Sequence, residues 1–179
     1  MEQYGTNRLR EILKRIDEEA ELELGMPDSR FKVVLVGGSA FMLTGLTNRP
    51  ATHDIDVLEA SKDIEDILFR YGMINSRVSA YLDCLPYNFE DRLVLLDLDT
   101  SAIDYMTPSL EDLAVMKLYA CRPNDIADLT SPLVLEKIDW PLLDHLVFDK
   151  GEALGSCMSP RRYEEMLVSY KKYVERYRP

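Results

Sequence analysis

The chain has 179 residues and a formal net charge of −11, with 46% hydrophobic and 30% charged residues. This composition is typical of a protein with a hydrophobic core, and the negative charge argues against broad, non-specific nucleic-acid binding, which needs Lys and Arg to neutralise phosphates. No apolar stretch reaches the roughly 18 residues of a membrane span, and the start lacks the apolar core of a signal peptide. We therefore expect a cytoplasmic protein without a membrane contact.

Hydrophobic periodicity and turn residues predict an α+β fold in which a small sheet comes first and helices follow. Ser39, Ser61 and Ser109 stand where three of the helices should begin and are predicted to cap them. In chain order, the sequence predicts a helix at 7–22, a strand at 32–36, a short helix through 46, a strand at 54–58, a helix at 61–71, strands at 92–98 and 102–106, and helices from 109, at 124–130, at 140–147 and from 159.

Two aspartates, Asp54 and Asp56, flank Ile55 at the second predicted strand. Side chains in a strand alternate, so both carboxylates should point to one face, with Cα atoms roughly 6.5–7 Å apart. Two such charges repel unless a cation lies between them, and hard oxygen ligands select Mg²⁺ or Mn²⁺. The alternative is a strand edge whose acids only meet solvent.

The tripeptide Gly37-Gly38-Ser39 lies where the first strand ends and a helix begins. Glycines let a ligand approach the backbone, and unpaired N–H groups at the start of a helix attract phosphate. A tight turn is the simpler interpretation. However, one helix and one loop separate this tripeptide from the acid pair, so a strand–helix–strand unit would bring the two together.

Lys117 is the one charged residue in an apolar segment, LAVMKLYAC, at 113–121. A buried ammonium group needs an anionic partner, and a lysine suits phosphate as a point charge. On this interpretation Lys117→Met should preserve the fold; alternatively, the side chain extends to the surface. Asp125 and Asp128 follow on one face of a short helix, where they are either functional acids or acids favoured by the helix dipole.

The C-terminal segment 161–178 holds six Lys or Arg residues, three Glu residues and four tyrosines. A basic helix rich in tyrosine can contact RNA, because aromatic rings stack on bases. Alternatively, its Tyr, Met166, Leu167 and Val174 side chains pack on the body of the protein and leave the charges in solvent. The three cysteines, Cys84, Cys121 and Cys157, form no CxxC pair and are expected to be reduced thiols.

Four segments together resemble the nucleotidyltransferase superfamily with the DNA polymerase β-like palm: GGS, RPATHDIDVL, DLAVMKL and RPNDIADL. Within that superfamily the sequence is most similar to the AbiEii-type branch, known from abortive-infection and toxin–antitoxin systems. The resemblance covers roughly residues 33–130. It implies a mixed sheet with helices packed on it, a nucleoside triphosphate as substrate, and Mg²⁺ or Mn²⁺ as cofactor.

The resemblance also implies roles for individual residues. Metal binding falls to Asp54 and Asp56, triphosphate binding to Gly37, Gly38 and Ser39, and downstream functional roles to Lys117 and Asp125, with Asp128 close by. The Arg-x-x-Thr pattern that often precedes the acid pair corresponds to Arg49 and Thr52, and Thr52 is expected to bind the nucleotide together with the glycine turn and Lys117. Residues 1–130 would form the nucleotidyltransferase-like domain, including the N-terminal helix, and residues 131–179 a helical extension packed on it.

Two features depart from the family pattern. Fourteen residues separate Ser39 from Asp54, more than the commonest spacing. The third carboxylate that many members carry on a later strand is ambiguous between Asp97 and Asp104, with Asp99 a weaker choice.

Two hypotheses about function follow from the sequence. One is a Mg²⁺-dependent enzyme that moves a nucleoside monophosphate from an NTP to a hydroxyl of an RNA 3′ end or a protein, with the toxin-like role that the branch implies. The other is a non-catalytic binding or antitoxin-like partner.

Overall fold

The computed structural model describes residues 3–26, 28–73, 84–148 and 159–179. The chain forms two compact units, the first made of Met1–Val78 with Leu93–Thr107 and the second of Ser79–Arg92 with Pro108–Pro179. The first unit holds a four-stranded mixed sheet, and the described part of the second is helical. The predicted α+β class with a small mixed sheet is confirmed. The domain boundary predicted after residue 130 stays a prediction, and Cys157 lies outside the described residues.

The elements of the first unit follow the predicted order closely. β3 is shorter than predicted, because only Val94 and Leu95 form its ladder with β4. β2 begins at Asp56 rather than at 54, because its partner strand β1 ends at Val36, opposite Asp56. The elements are α1 (Thr6–Leu24), β1 (Phe31–Val36), α2 (Gly37–Leu43), β2 (Asp56–Ala60), a 3₁₀ turn (Lys62–Ile64) leading into α3 (Glu65–Arg70), β3 (Val94–Leu95) and β4 (Ile103–Thr107).

The strands lie in the order β2-β1-β4-β3. β1 is antiparallel to β2 and parallel to β4, and β3 is antiparallel to β4. Val36, the last residue of β1, lies opposite Asp56. This register places the first residue of β2 beside the turn that leads from β1 into α2.

One face of the sheet forms the core of the first unit together with α1 and α3. Leu35 and its cross-strand partner Val57 both belong to this core, so Val36 and Asp56 lie on the opposite face. The largest fully buried side chains of the core are Leu9, Leu13, Ile16, Leu35, Ile64, Ile67, Leu68, Met73, Ile103 and Tyr105.

A buried carboxylate, Asp17, ties α1 to the turn that enters β4. Its two oxygens accept hydrogen bonds from the backbone N–H groups of Ser101, Ala102 and Ile103 at 2.7–2.9 Å. The Tyr105 hydroxyl adds a bond to the Leu13 carbonyl. Burial, followed by the nearby Asp17 charge, raises the pKa of Tyr105 well above its ordinary value, so this hydroxyl keeps its proton. These bonds fix the sheet against α1.

We expect Asp17→Asn to lower the free energy of unfolding by about 1.5–3 kcal/mol, the usual worth of hydrogen bonds to a charged group. An amide presents only one acceptor oxygen to three backbone donors, and its NH₂ group faces donors rather than acceptors. Ser101→Ala is the control, because it removes only the hydroxyl that shares this carboxylate. Urea denaturation of both variants measures the difference, and equal losses would contradict the role of Asp17.

The second unit is built around one apolar helix. α4 is buried over most of its length and packs against α5, α7 and α8. The sequence did not predict α6, a single turn that starts after Ser131 with a proline in its first position. The helices are α4 (Leu110–Ala120), α5 (Pro123–Leu129), α6 (Pro132–Leu135), α7 (Trp140–Phe148) and α8 (Pro160–Tyr177), and a 3₁₀ turn (Phe89–Arg92) precedes them.

The predicted serine caps differ in outcome. Ser109 caps α4 by accepting from the Asp112 N–H at 3.1 Å, as predicted. Ser39 does not cap α2, because that helix already begins at Gly37. Ser61 does not cap the following turn either, since its hydroxyl oxygen accepts from the Lys32 N–H in β1.

Helix α8 packs its tyrosines inside the second unit. Tyr170 and Tyr173 are buried, and the Tyr173 hydroxyl donates to the Leu129 carbonyl at 2.8 Å. Burial comes first among the causes that raise the pKa of both phenols. The packing interpretation of this helix is confirmed for these rings, while Lys171 and Lys172 are exposed. Among the described residues, no helix combines the length and apolarity needed to cross a membrane.

Candidate functional site

The carboxylate of Asp56 lies directly over Gly37. Gly37 has φ +70°, and a Cβ atom added there would lie 2.4 Å from Asp56 Oδ2. Both the left-handed backbone and the close carboxylate require glycine at this position. The chain therefore brings the second acid of the pair against the turn at the end of β1, as the strand–helix–strand prediction anticipated.

Arg49 and Thr52 lie in the same way over Gly38. An added Cβ would lie 2.5 Å from Arg49 Nη1 and 2.9 Å from Thr52 Oγ1. Thr52 is fixed by two backbone hydrogen bonds with Tyr4, at 2.8 and 2.9 Å, and its hydroxyl donates to the Asp54 carbonyl at 3.3 Å. We call Gly37, Gly38, Arg49, Thr52 and Asp56 the glycine cluster.

Ser39 is fully buried beneath this turn. Its hydroxyl donates to the Val36 carbonyl at 3.1 Å, so the side chain points into the protein and not towards solvent. The backbone N–H of Ser39 lies in the first turn of α2, where helix N–H groups lack an intrahelical acceptor. The Ser39 side chain therefore stabilises the turn between β1 and α2.

Asp54 lies in the loop before β2 and is exposed. It forms part of the wall of a cleft of about 220 Å³, together with Tyr4, Arg8, Arg15 and Tyr71 among others. Asp54 and Asp56 therefore belong to neighbouring parts of the same loop-and-strand segment, but only Asp56 lies in the strand itself.

The structure does not bring Asp97 or Asp104 to this acid pair. Asp104 in β4 pairs with Lys32 in β1, and Lys32 lies four residues before Val36, the partner of Asp56. Asp104 is therefore about 13 Å along the strands and about 10 Å across them from Asp56. It forms an ion pair with Arg30 at 3.0 Å instead. Asp97 is exposed and follows β3, the edge strand farthest from β2. We leave both residues out of the proposed site.

Without Asp97 and Asp104, the carboxylates of Asp54 and Asp56 remain as metal ligands. They suit Mg²⁺ better than a metal ion whose ligands all come from the protein. In the part of the chain that the structure describes, no group of three or more His, Cys, Asp or Glu side chains could hold a metal ion. Mg²⁺ is commonly bound by only one or two carboxylates, with substrate phosphates and water completing its shell. Asp54 and Asp56 supply such a set of oxygen donors.

A second group of predicted residues meets inside the helical unit. The Lys117 ammonium lies 3.2 Å from Asp125 Oδ1 and 2.7 Å from Asp128 Oδ2, and the three side chains are 6%, 5% and 2% exposed. Arg122 Nε donates to Asp125 Oδ2 at 2.7 Å. The Arg122 side chain itself is 60% exposed. We call Lys117, Asp125 and Asp128 the buried ion cluster.

This cluster contains the anionic partner that the apolar surroundings of Lys117 require. The alternative in which Lys117 extends to the surface is wrong, because its side chain is buried between two carboxylates. Asp125 and Asp128 are likewise more than acids at a helix start. The sequence placed all three residues on helices but gave no sign that α5 folds back on α4. Phosphate binding by Lys117 stays a prediction.

The buried ion cluster makes stability depend on pH. Burial alone would raise the pKa of Asp125, but Arg122 and Lys117 outweigh it and hold the pKa below its ordinary value of 3.8. A carboxyl with a lowered pKa stabilises the fold fully above its unfolded pKa, and this stabilisation is lost as the pH falls through the lowered value. We expect the free energy of unfolding to fall below about pH 4.

Urea denaturation from about pH 5 to about pH 3 would show this loss, and Asp125→Asn should flatten the profile in that window. Asp99→Asn is the matched control, because Asp99 is almost fully exposed and its pair with Lys14 is exposed as well. If the two variants had the same pH profile, Asp125 would not be the group responsible.

A family model described as a nucleotidyltransferase of unknown function (DUF6036) matches residues 11–178. The chain belongs to this family. The matched range includes both the glycine cluster and the buried ion cluster. Comparisons with curated proteins and with solved structures gave no significant match. Membership confirms the nucleotidyltransferase part of the resemblance, whereas the AbiEii-type branch stays a prediction for this DUF6036 protein.

Proposed function

We propose that this DUF6036 nucleotidyltransferase is a Mg²⁺-dependent enzyme that transfers a nucleoside monophosphate from a nucleoside triphosphate to an acceptor hydroxyl. The observation that supports it best is the Asp56 carboxylate held over Gly37, with Asp54 just before it in the chain. The Asp56 carboxylate beside the glycine turn, with Asp54 two residues earlier in the chain, joins the two requirements of the reaction, a metal ligand and a phosphate site.

The roles follow from the positions of the side chains. Mg²⁺, or Mn²⁺, bound by Asp54 and Asp56 would neutralise phosphate charge and lower the pKa of the attacking hydroxyl. The backbone at Gly37 and Gly38 would approach the triphosphate closely. Arg49, beside Gly38, presents a guanidinium that matches phosphate geometry, and Thr52 holds the loop that carries Asp54.

Lys117 and Asp125 enter the proposal as the downstream lysine and aspartate of the AbiEii-type resemblance. Their direct ion pair supports treating them as one functional unit. Contact between Lys117 and a phosphate would require the lysine to give up at least part of its pairing with Asp125 and Asp128. A toxin-like role and a cognate partner protein belong to the same proposal and rest on that resemblance alone, whereas the proposed cytoplasmic location rests on the start of the sequence, which lacks the apolar core of a signal peptide.

A second candidate function is that of a non-catalytic binding or antitoxin-like partner. It is favoured by the distance of Asp97 and Asp104 from Asp56, because two-metal phosphoryl transfer usually employs more shared carboxylates than two. Such a protein would bind nucleotide without releasing pyrophosphate.

Incubation with α-labelled NTPs, Mg²⁺ or Mn²⁺, and either total RNA or total protein separates the two functions. We expect label transfer and pyrophosphate release by the parent protein and by Asp104→Asn, a control on the same sheet that keeps the acid pair. Asp56→Asn should lose the transfer by a factor on the order of 10² or more. Nucleotide binding without release would support the partner function, and unchanged transfer by Asp56→Asn would reject the proposed site.

A further inference from the structure

The cleft beside Asp54 combines positive charge with aromatic rings. Arg8 and Arg15 contribute two guanidinium groups from exposed positions of α1, and Tyr4 and Tyr71 contribute phenol rings. Ile12, Ile55 and Met73 supply a buried apolar floor. Its volume of about 220 Å³ is below the roughly 300–1,000 Å³ of pockets for drug-sized ligands, so it suits one nucleotide unit or less.

The walls of this cleft are held in place by contacts within the first unit. The Tyr71 hydroxyl donates to Glu19 Oε2 at 2.7 Å, which fixes that ring against α1. The backbone of Tyr4 pairs with that of Thr52 through two hydrogen bonds. Arg8 makes an exposed pair with Glu11 at 3.3 Å, a contact that is easily exchanged for a ligand.

The cleft and the glycine cluster meet at one segment of the chain. Thr52 contacts Gly38 through its hydroxyl and Tyr4 through its backbone, and Asp54, two residues later, lines the cleft. A ligand in the cleft would therefore lie beside a carboxylate of the acid pair, while a triphosphate on Gly37 and Gly38 would lie on the other side of Thr52.

We propose that this cleft binds the 3′-terminal nucleotide of a single-stranded RNA acceptor, an inference that rests on the proposed function. Two guanidinium groups match the phosphodiester that an acceptor nucleotide carries, and aromatic rings stack on its base. The base of the NTP is a poorer occupant, because it is uncharged and its own phosphates are bound elsewhere. In the cleft, the terminal 3′ hydroxyl would face Asp54, and a metal held by that carboxylate would lower the pKa of the hydroxyl, so that its proton passes to solvent water and its oxygen can attack. Transfer then forms a bond from that oxygen to the α-phosphorus and breaks the bond to the leaving pyrophosphate.

Fluorescence anisotropy with a 5′-labelled single-stranded hexaribonucleotide, in EDTA and without NTP, tests this site independently of catalysis. We expect Arg8→Gln/Arg15→Gln to weaken binding about tenfold or more at low salt and to reduce the salt slope by about 1.4, the value for two phosphate contacts. Lys171→Gln/Lys172→Gln is the matched control, because it removes the same charge from exposed positions of α8. Circular dichroism melts of both variants confirm that they are folded.

A larger loss in the lysine variant, equal losses in both, or no binding by the parent would overturn the cleft as the RNA site. Label transfer to protein alone would overturn it as well. An added NTP in EDTA should not displace the oligonucleotide, and full competition would instead assign the cleft to the NTP. If binding follows the expected pattern while no acceptor is labelled, the cleft stands and the proposed function fails. If transfer to RNA persists with unchanged KM in the arginine variant, the cleft fails and the proposed function stands.

Discussion

Lys117→Met is expected to lower the free energy of unfolding by about 3–5 kcal/mol, because it leaves a buried carboxylate without its cation. This reverses the expectation from the sequence, in which phosphate was the partner and Met preserved the fold. Arg122 still pairs with Asp125 after the change, so Asp128, 2.7 Å from the ammonium, is the group most affected. Urea denaturation measures the loss.

Two further variants make this prediction specific. Lys171→Met, at an exposed position of α8, should change stability by no more than about 0.5 kcal/mol. Asp128→Asn added to Lys117→Met removes the stranded charge and should recover about 1–3 kcal/mol, the range of coupling between residues in contact. A loss below about 1 kcal/mol for Lys117→Met would show that this lysine is not held by the carboxylates.

Gly37→Ala should abolish the stabilisation by metal and NTP and also destabilise the protein. Alanine in a left-handed conformation costs roughly 1–2 kcal/mol, and here its Cβ would also displace the Asp56 carboxylate. A ligand at one hundred times its Kd contributes about 2.7 kcal/mol to the native state, and this contribution should disappear with the site. Thermal melts with and without MgCl₂ and NTP measure both effects.

Gly45→Ala separates backbone strain from displacement of the carboxylate. Gly45 has φ +68°, nearly the same as Gly37, but a Cβ there would meet nothing within 4 Å. It should show the cost of strain alone and keep the full response to metal and NTP. If both variants kept that response, Asp56 over Gly37 would not be part of the site.

Much of the fold could be predicted because its signals are local. The β-branched run that stops at Gly37-Gly38 located β1, and helical spacing located α1 within two residues at each end. β3 was overestimated because the apolar run at 92–98 does not show how many of its residues find a partner strand. The start of β2 was misplaced for a related reason, since its partner strand β1 ends at Val36 and leaves residues 54 and 55 without a pairing partner in that strand.

The candidate site was predictable in part. The close approach of Asp56 to Gly37 follows from a strand–helix–strand unit, which the sequence indicated. The choice between Asp97 and Asp104 depended on register, because side chains between apolar neighbours look alike until their cross-strand partners are known. Only the pairing of Asp104 with Lys32 shows how far it lies from Asp56.

The buried ion cluster was missed for a different physical reason. Lys117 lies on α4 and Asp128 on α5, and the distance from Lys117 Nζ to Asp128 Oδ2 is 2.7 Å. This contact depends on how the chain turns between the two helices. Cys121 ends α4 in a left-handed conformation with φ +49°, which a residue other than glycine rarely adopts. The sequence offered no glycine or asparagine there to signal the turn.

We propose that Asp54 and Asp56 bind the metal that the nucleotide needs. Thermal melts of the parent and of Asp54→Asn/Asp56→Asn are compared with and without a few millimolar MgCl₂ or MnCl₂ plus NTP. The double change removes both charges at nearly constant shape, so the parent should gain several degrees from metal and NTP and the variant none. An equal gain in both proteins would show that these acids are not the site and would contradict the account.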